Sequence, residues 1–315
     1  MAKKPGAWDL RCNEAVLSAM LVHPRYGQDC RFVESGKQIV RMGNWAFAAY
    51  LPRDAAHDAL MASAEMIAKK QQRCGLWFRK NGECLSFAIL RALAHGKVLQ
   101  PFLAGRQLRF DPFQTFIDSQ DYYGLLVRED ILQRPLPGDG KLRRHLQDED
   151  FKAQQPDGSW GRTVSTTALY IERLLELRVE STHRRIKKAV GWMMGQFRAV
   201  ERRRPSAAWS IHVAHMVTTD SNEEFRLAQH MLPQANLAGA CFVCLPILPT
   251  AFALRVLSRL GLHNDERVEL AYRTLLDMEI KDGEEAFGRT LHSGWCGHQC
   301  RFKLEARLRD RLSKS

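Results

Sequence analysis

The chain has 315 residues, 45% of them hydrophobic and 26% charged, and its 47 Lys+Arg against 35 Asp+Glu give a formal net charge of +12. Such a length and composition belong to a globular protein with one large core or two ordinary ones. They exclude a membrane-spanning chain, because no apolar run reaches about 18 residues.

The N-terminal MAKKPGAWDLRC is basic but has no apolar stretch behind it, so a cytoplasmic protein is expected. Its 8 cysteines then read as reduced thiols or metal ligands rather than a disulfide framework. Residues 1–54 match no repeat and form an N-terminal helical extension, with the rest of the chain, 55–315, as one repeated domain. The basic excess is clustered in KLRRH (141–145), HRRIKK (183–188) and ERRRP (201–205). Such clusters serve as solvated helix surface, or meet nucleic acid, an anionic lipid surface or a diphosphate-bearing substrate.

Along the repeated region the apolar residues follow helical spacing and almost no strand pattern appears. In AHDALMASAEMIAKKQQ the buried face is Leu60, Ala64, Ile67 and Ala68. In STHRRIKKAVGWMMGQ it is Ile186, Ala189, Val190, Met193 and Met194. In NDERVELAYRTLLDME it is Val268, Ala271, Leu275 and Leu276, with Asn264 or Asp265 as the N-cap. The class is therefore all-α.

Two charged segments, AEMIAKK and KLRRHLQDEDFK, run into the same motif. QQRCGLW carries Gln72, Gly75 and Trp77, and QQPDGSW carries Gln155, Gly158 and Trp160 at the same Gln-x-x-Gly-x-Trp spacing, 83 residues later (155 − 72). Gln196 falls midway to the next mark and Ile280 holds a worn fourth position, so the register is about 41–42 residues, that of a helical-hairpin repeat. Each mark is followed by a more apolar helix: ECLSFAILRALAHG, STTALYIERLLEL, AWSIHVAHMV and PTAFALRVLSRLG. Apolar helices must be surrounded by others, and amphipathic ones sit outside them. About six such pairs in a ring give an inner and an outer barrel; an open superhelix is the alternative.

The repeat resembles that of the terpenoid-cyclase and protein-prenyltransferase superfamily, an α/α toroid, over roughly residues 55–312. The likeness is strongest at 150–200 and 250–285. It implies that Gln72, Trp77, Gln155 and Trp160 are structural clasps between neighbouring turns. The resemblance also locates the acids of class II terpene cyclases at PILPTAFAL. Thr250 and Ala251 fit there, but Pro246, Leu248 and Pro249 stand where the acids belong, which disfavours proton-initiated cyclisation. The pair Asp118 and Asp121 lacks the spacing of a magnesium-binding DDxxD and reads as a helix turn.

Cys and neutral His are zinc's preferred ligands, and a catalytic site needs three with an open position. Cys241 and Cys244 precede one inner helix, while Cys296, His298 and Cys300 open the next. In a toroid these segments meet at one mouth. The likeness to prenyltransferase β-subunits implies His298 as a zinc ligand, with Cys244 or Cys241 in the family's Cys position and a second thiolate replacing its Asp. Packing as small buried hydrophobes is the alternative for these cysteines. The zinc would hold a thiol as thiolate, and an allylic diphosphate would be the electrophile. Its isoprenoid chain would lie along Trp209, Phe242, Phe252 and Trp295, with the diphosphate near His212, His215, Arg289 and Arg301.

The leading reading is thus an enzyme of prenyltransferase or terpene-cyclase type that acts on an isoprenoid or similarly apolar molecule, with zinc as cofactor. The alternative is a basic toroid without chemistry, a scaffold for an acidic protein or nucleic acid. The sequence favours nucleic acid less than the small molecule.

Overall fold

The computed structural model describes residues 7–78, 82–105, 108–200, 206–208, 244–277, 285–286 and 289–290. Thirteen helices are described: α1 (Ala7–Val22), α2 (Cys30–Arg41), α3 (Arg53–Ala62), α4 (Ala64–Lys70), α5 (Gly82–His95), α6 (Leu99–Ala104), α7 (Gln114–Ile117), α8 (Tyr122–Leu126), α9 (Asp139–Lys152), α10 (Val164–Glu176), α11 (Arg184–Gly195), α12 (Cys244–Arg259) and α13 (Glu266–Asp277). A 3₁₀ turn (Trp45–Tyr50) precedes α3 and a π turn (Val127–Ile131) continues α8. The described strands are two short antiparallel ribbons, β1 (Arg198–Val200) with β2 (Ser206–Ala208) and β3 (Glu285–Ala286) with β4 (Arg289–Thr290). The class is all-α, as the periodicity requires.

The apolar stripes fall where their spacing puts them. Leu60, Ile67, Ile186, Ala189, Met193, Val268 and Ala271 are each 0% exposed. Asp265 is the N-cap of α13, its Oδ1 accepting from Arg267 N at 3.0 Å. The stretch expected as one helix over 56–72 is broken in two at Ser63. The Ser63 hydroxyl donates to the Ala59 carbonyl at 3.0 Å, a bond back along the helix of the kind that bends it.

The helices gather into two compact units. One takes residues 1–19, 154–172 and 181–315, the other 20–153 and 173–180. In the first, α12 packs on α13, and Tyr272 is 0% exposed. Its hydroxyl reaches Ser258 Oγ at 2.8 Å, the Ala19 carbonyl at 3.0 Å and the Leu254 carbonyl at 3.3 Å. In the second, the 3₁₀ turn lies against α5 and α2, and α8 lies against α5 and α9. A buried ion pair holds the π turn to α9. Arg128 Nη2 donates to Asp139 Oδ1 at 2.6 Å, and its Nη1 donates to the carbonyls of Phe116, Ile117 and Ser119 at 3.1, 3.1 and 2.7 Å. The guanidinium hydrogen-bonded to it holds the Asp139 carboxyl below the usual carboxylate range.

Each unit contains one Gln-Gly-Trp turn, and the two are built alike. Gln71 Nε2 donates to the carbonyls of Gly75 (3.0 Å) and Phe110 (2.9 Å), while its Oε1 accepts from Arg109 N (2.9 Å) and Phe110 N (3.1 Å). Gln154 Nε2 donates to the carbonyls of Gly158 (2.9 Å) and Arg185 (3.0 Å). The clasping side chains are therefore one residue upstream of the expected Gln72 and Gln155, whose main chains close the turn. Gln72 N donates to the Leu76 carbonyl and Gln155 N to the Ser159 carbonyl, both at 2.8 Å.

The tryptophans lie inside, Trp77 3% and Trp160 1% exposed. Each has its main-chain N–H bound, at 3.0 Å, by a hydroxyl of the following helix: Ser86 for Trp77 and Thr167 for Trp160. The Trp77 indole also donates to the Ile67 carbonyl at 2.9 Å, and the Trp160 ring stacks on Tyr170 at 5.3 Å. Glycine is required at the centre of both turns. Gly75 has φ 84 and Gly158 φ 103. A Cβ on Gly75 would come within 2.1 Å of the Asp111 carbonyl oxygen, and one on Gly158 within 2.8 Å of Lys188 Cγ.

The helices that follow keep the same ruler. α5, α8 and α10 begin at Gly82, Tyr122 and Val164, intervals of 40 and 42 residues (122 − 82 and 164 − 122).

Candidate functional site

Charged side chains sit within helices that read as apolar, and in the second unit they gather around Tyr122. Asp121 starts α8, its Oδ1 accepting from Gly124 N at 2.7 Å, so Tyr122 and Tyr123 form the first turn. Asp118 closes α7, and the DSQD pair therefore serves as helix ends. The Glu176 carboxylate, at the end of α10, accepts from both the Tyr122 hydroxyl and the Arg91 guanidinium of α5. One turn earlier, Arg173 donates from Nε to Asp150 Oδ2 at 2.7 Å and sets its guanidinium 4.4 Å from the Tyr122 ring centre, a cation–π contact. Phe87 completes an aromatic trio, 5.5 Å from Tyr123 and 6.4 Å from Tyr122, whose own rings are 5.2 Å apart.

The electrostatics follow from this packing. Burial first, and the Glu176 charge second, push the Tyr122 phenol far above its ordinary value, so it stays a proton donor. Burial and a hydrogen bond with Cys84 push Tyr123 up in the same way. Burial opposes the charge on Arg91, but Glu176 outweighs it and the guanidinium is held more firmly protonated. Burial raises the Asp150 carboxyl against the pull of Arg173. Cys84 itself is exposed. Among the described residues the cluster thus brings together two guanidinium groups with further N–H donors, the Glu176 and Asp150 carboxylates that pair with them, the Tyr122 phenol already donated to Glu176, three aromatic rings and the exposed Cys84 thiol.

The first unit has a second charged centre. The Glu172 carboxylate takes Arg255 from α12 through Nε–Oε1 at 2.6 Å and Nη2–Oε2 at 2.5 Å. Arg255 Nη1 also reaches Ser18 Oγ at 3.2 Å. Its guanidinium lies 5.0 Å from the Phe252 ring centre, and Phe252 is half-buried.

The residues singled out from sequence fall unevenly. Trp209, His212, His215, Cys241, Phe242, Trp295, Cys296, His298, Cys300 and Arg301 lie outside the described residues. Cys244 is the first residue of α12, and Arg289 lies in β4. Thr250 and Ala251 are buried within α12, whose Pro249 occupies one of the expected acid positions. Among the described residues no three His, Cys, Asp or Glu are grouped to hold a metal ion. Tyr122, Glu176, Arg91, Arg173 and Asp150 are not legible from spacing. Their one signal is the run Glu172, Arg173, Glu176 in an otherwise apolar helix, since buried charge is the informative exception.

Among the described residues no helix is long and apolar enough to cross a membrane. Comparison of the chain with family models, curated proteins and solved structures gives no match.

Proposed function

We propose that the chain is an α/α-toroid enzyme of the terpenoid-cyclase and prenyltransferase type, acting on an isoprenoid diphosphate or a similarly apolar molecule. The observation that carries this reading is the Gln-Gly-Trp clasp, present twice, each time with the Gln amide donating to the carbonyl of the turn's glycine and to a segment 39 or 31 residues further on. A turn of that construction exists to lock successive helical hairpins, and a closed ring of hairpins encloses a pocket. The Tyr122 cluster supports a polar head group through the remaining N–H donors of Arg91 and Arg173.

Zinc belongs to this proposal through Cys241 or Cys244, Cys296 or Cys300, and His298. Its contribution would be to hold an incoming thiol as the nucleophilic thiolate. Protein purified without a metal-affinity tag should contain zinc near one atom per chain, and His298→Ala should lose it. Absence of zinc from the wild-type protein, with turnover unaffected by His298→Ala, removes the metal from the reading and leaves the isoprenoid site standing.

A second reading, a scaffold without chemistry, has its own support. Pro249 lies inside α12 where a catalytic acid would be, and the buried Glu172–Arg255 pair is satisfied without any ligand. A ring whose centre is filled by such pairs would bind partners on its surface.

A further inference from the structure

We infer that the outer face of α11, with the clasp loop beside it, is a docking surface for the phosphate backbone of a nucleic acid. Along α11 the buried face is Ile186, Ala189, Met193 and Met194. Opposite it, Arg184, Lys187, Lys188, Gly191 and Gly195 are all exposed. They follow i, i+3, i+4, i+7, i+11 spacing, so they form one stripe. No ion pair joins Arg184, Lys187 or Lys188 to a carboxylate among the described residues. The loop before α10 packs beside the stripe and carries both an exposed Asp157 and an exposed Arg162. Gly158 abuts Lys188, and Arg162 is exposed four residues later, within electrostatic reach of Asp157.

Two features of this face run against stability and favour an anion. The first turn of α11 has no acidic residue, and its cations crowd the end where the helix dipole is already positive, each unfavourable by about 0.3–1 kcal/mol. Arg162 has φ 52, a left-handed conformation that costs an L-residue about 1–2 kcal/mol and glycine little. Cations kept where acid or glycine would be more stable point to a bound negative charge.

The chemistry of the face selects the partner. Protein interfaces centre on aromatic and aliphatic anchors and are depleted in lysine, whereas the exposed residues of this stripe are cations and glycine, with Trp192 half-buried at its flank. Four of its apolar residues are turned into the core and Val190 and Trp192 are half-buried, so the helix presents no broad apolar face to a bilayer. Nucleic-acid interfaces are the polar, strongly positive kind, and the two glycines leave room for a backbone to approach. The surface is independent of the isoprenoid reading.

The test is binding of a random-sequence DNA duplex to the full-length chain as salt is raised between about 50 and 200 mM. The variant Arg162→Gly/Arg184→Glu/Lys187→Glu removes three phosphate contacts and should flatten the slope of log K against log salt by about 3, at about 0.9 per contact; Arg162→Gly alone should flatten it by about 1. Lys188 is left intact because it packs on Gly158. Both variants should keep or raise Tm, because glutamate suits a helix N-terminus and glycine suits φ 52. That combination, weaker binding without a weaker fold, is the expected result. The proposal is overturned if the wild-type chain does not bind at low salt, or if the slope is the same in the variants. It is equally overturned if polyglutamate or anionic phospholipid vesicles compete as well as unlabelled duplex.

Discussion

At the scale of single residues, the strongest commitments are the polar groups the chain chose to bury. Arg128 and Asp139 are 1% and 2% exposed, and removing one partner of such a pair strands the other charge at a cost of about 3–5 kcal/mol. Asp139→Asn should lower the unfolding free energy by that amount in a denaturant titration. The acid limb of stability should change with it. The folded Asp139 carboxyl titrates below the ordinary carboxylate value of 3.8 because Arg128 bonds to it. Its contribution is therefore complete above 3.8 and lost as pH falls through the folded value. Asp150 has the opposite sign: burial raises it above 3.8, and what it contributes is lost as pH rises through the folded value. Asp139→Asn should accordingly leave a shallower loss of stability at low pH than the wild type shows. None of these pairings was legible in the sequence. Glu176 meets Arg91 across 85 residues and Glu172 meets Arg255 across 83, and helical periodicity reports only neighbours three or four residues away.

At the scale of elements, the two clasps explain why this chain repeats. Gln71 has both ends of its amide bound, satisfying main-chain groups at Arg109 and Phe110 that would otherwise lack partners. Losing such bonds from a buried site costs about 1–3 kcal/mol per stranded group. Gln71→Ala should therefore destabilise by about 2–4 kcal/mol, and Gln154→Ala by somewhat less because its described side-chain bonds are two. Gln72→Ala and Gln155→Ala should stay within about 0.5 kcal/mol of wild type. Thermal or chemical unfolding of the four variants checks the order. The turn itself was legible, because its glycine and tryptophan occur at fixed spacing for steric reasons that any repeat copy shares. Which glutamine does the work was not, since both copies carry a Gln-Gln doublet and either phase satisfies the spacing. The helix faces were legible for a simpler reason: burial of Ile186, Ala189 and Met193 needs only the 3.6-residue period. The break at Ser63 was not, because it depends on a hydroxyl turning back to Ala59.

At the scale of the whole molecule, two matching clasps, one in each unit, and charged centres on the more apolar helices recur along the chain. The helix starts at Gly82, Tyr122 and Val164 are 40 and 42 residues apart (122 − 82 and 164 − 122), close to the 41–42-residue interval that the glutamines and tryptophans first marked. The proposed chemistry was legible only in outline, because the residues that would hold zinc lie far apart in sequence and, Cys244 excepted, outside the described residues. The polar group that the described residues do assemble, around Tyr122, belongs to no motif. The ligand proposed above is an apolar chain with an anionic head. Calorimetric titration of the full-length protein with allylic diphosphates of increasing chain length tests this most directly. The account predicts saturable binding of one molecule per chain, far tighter than inorganic diphosphate, with the negative heat-capacity change of buried apolar surface. No binding at any chain length, or binding no tighter than inorganic diphosphate, would contradict it.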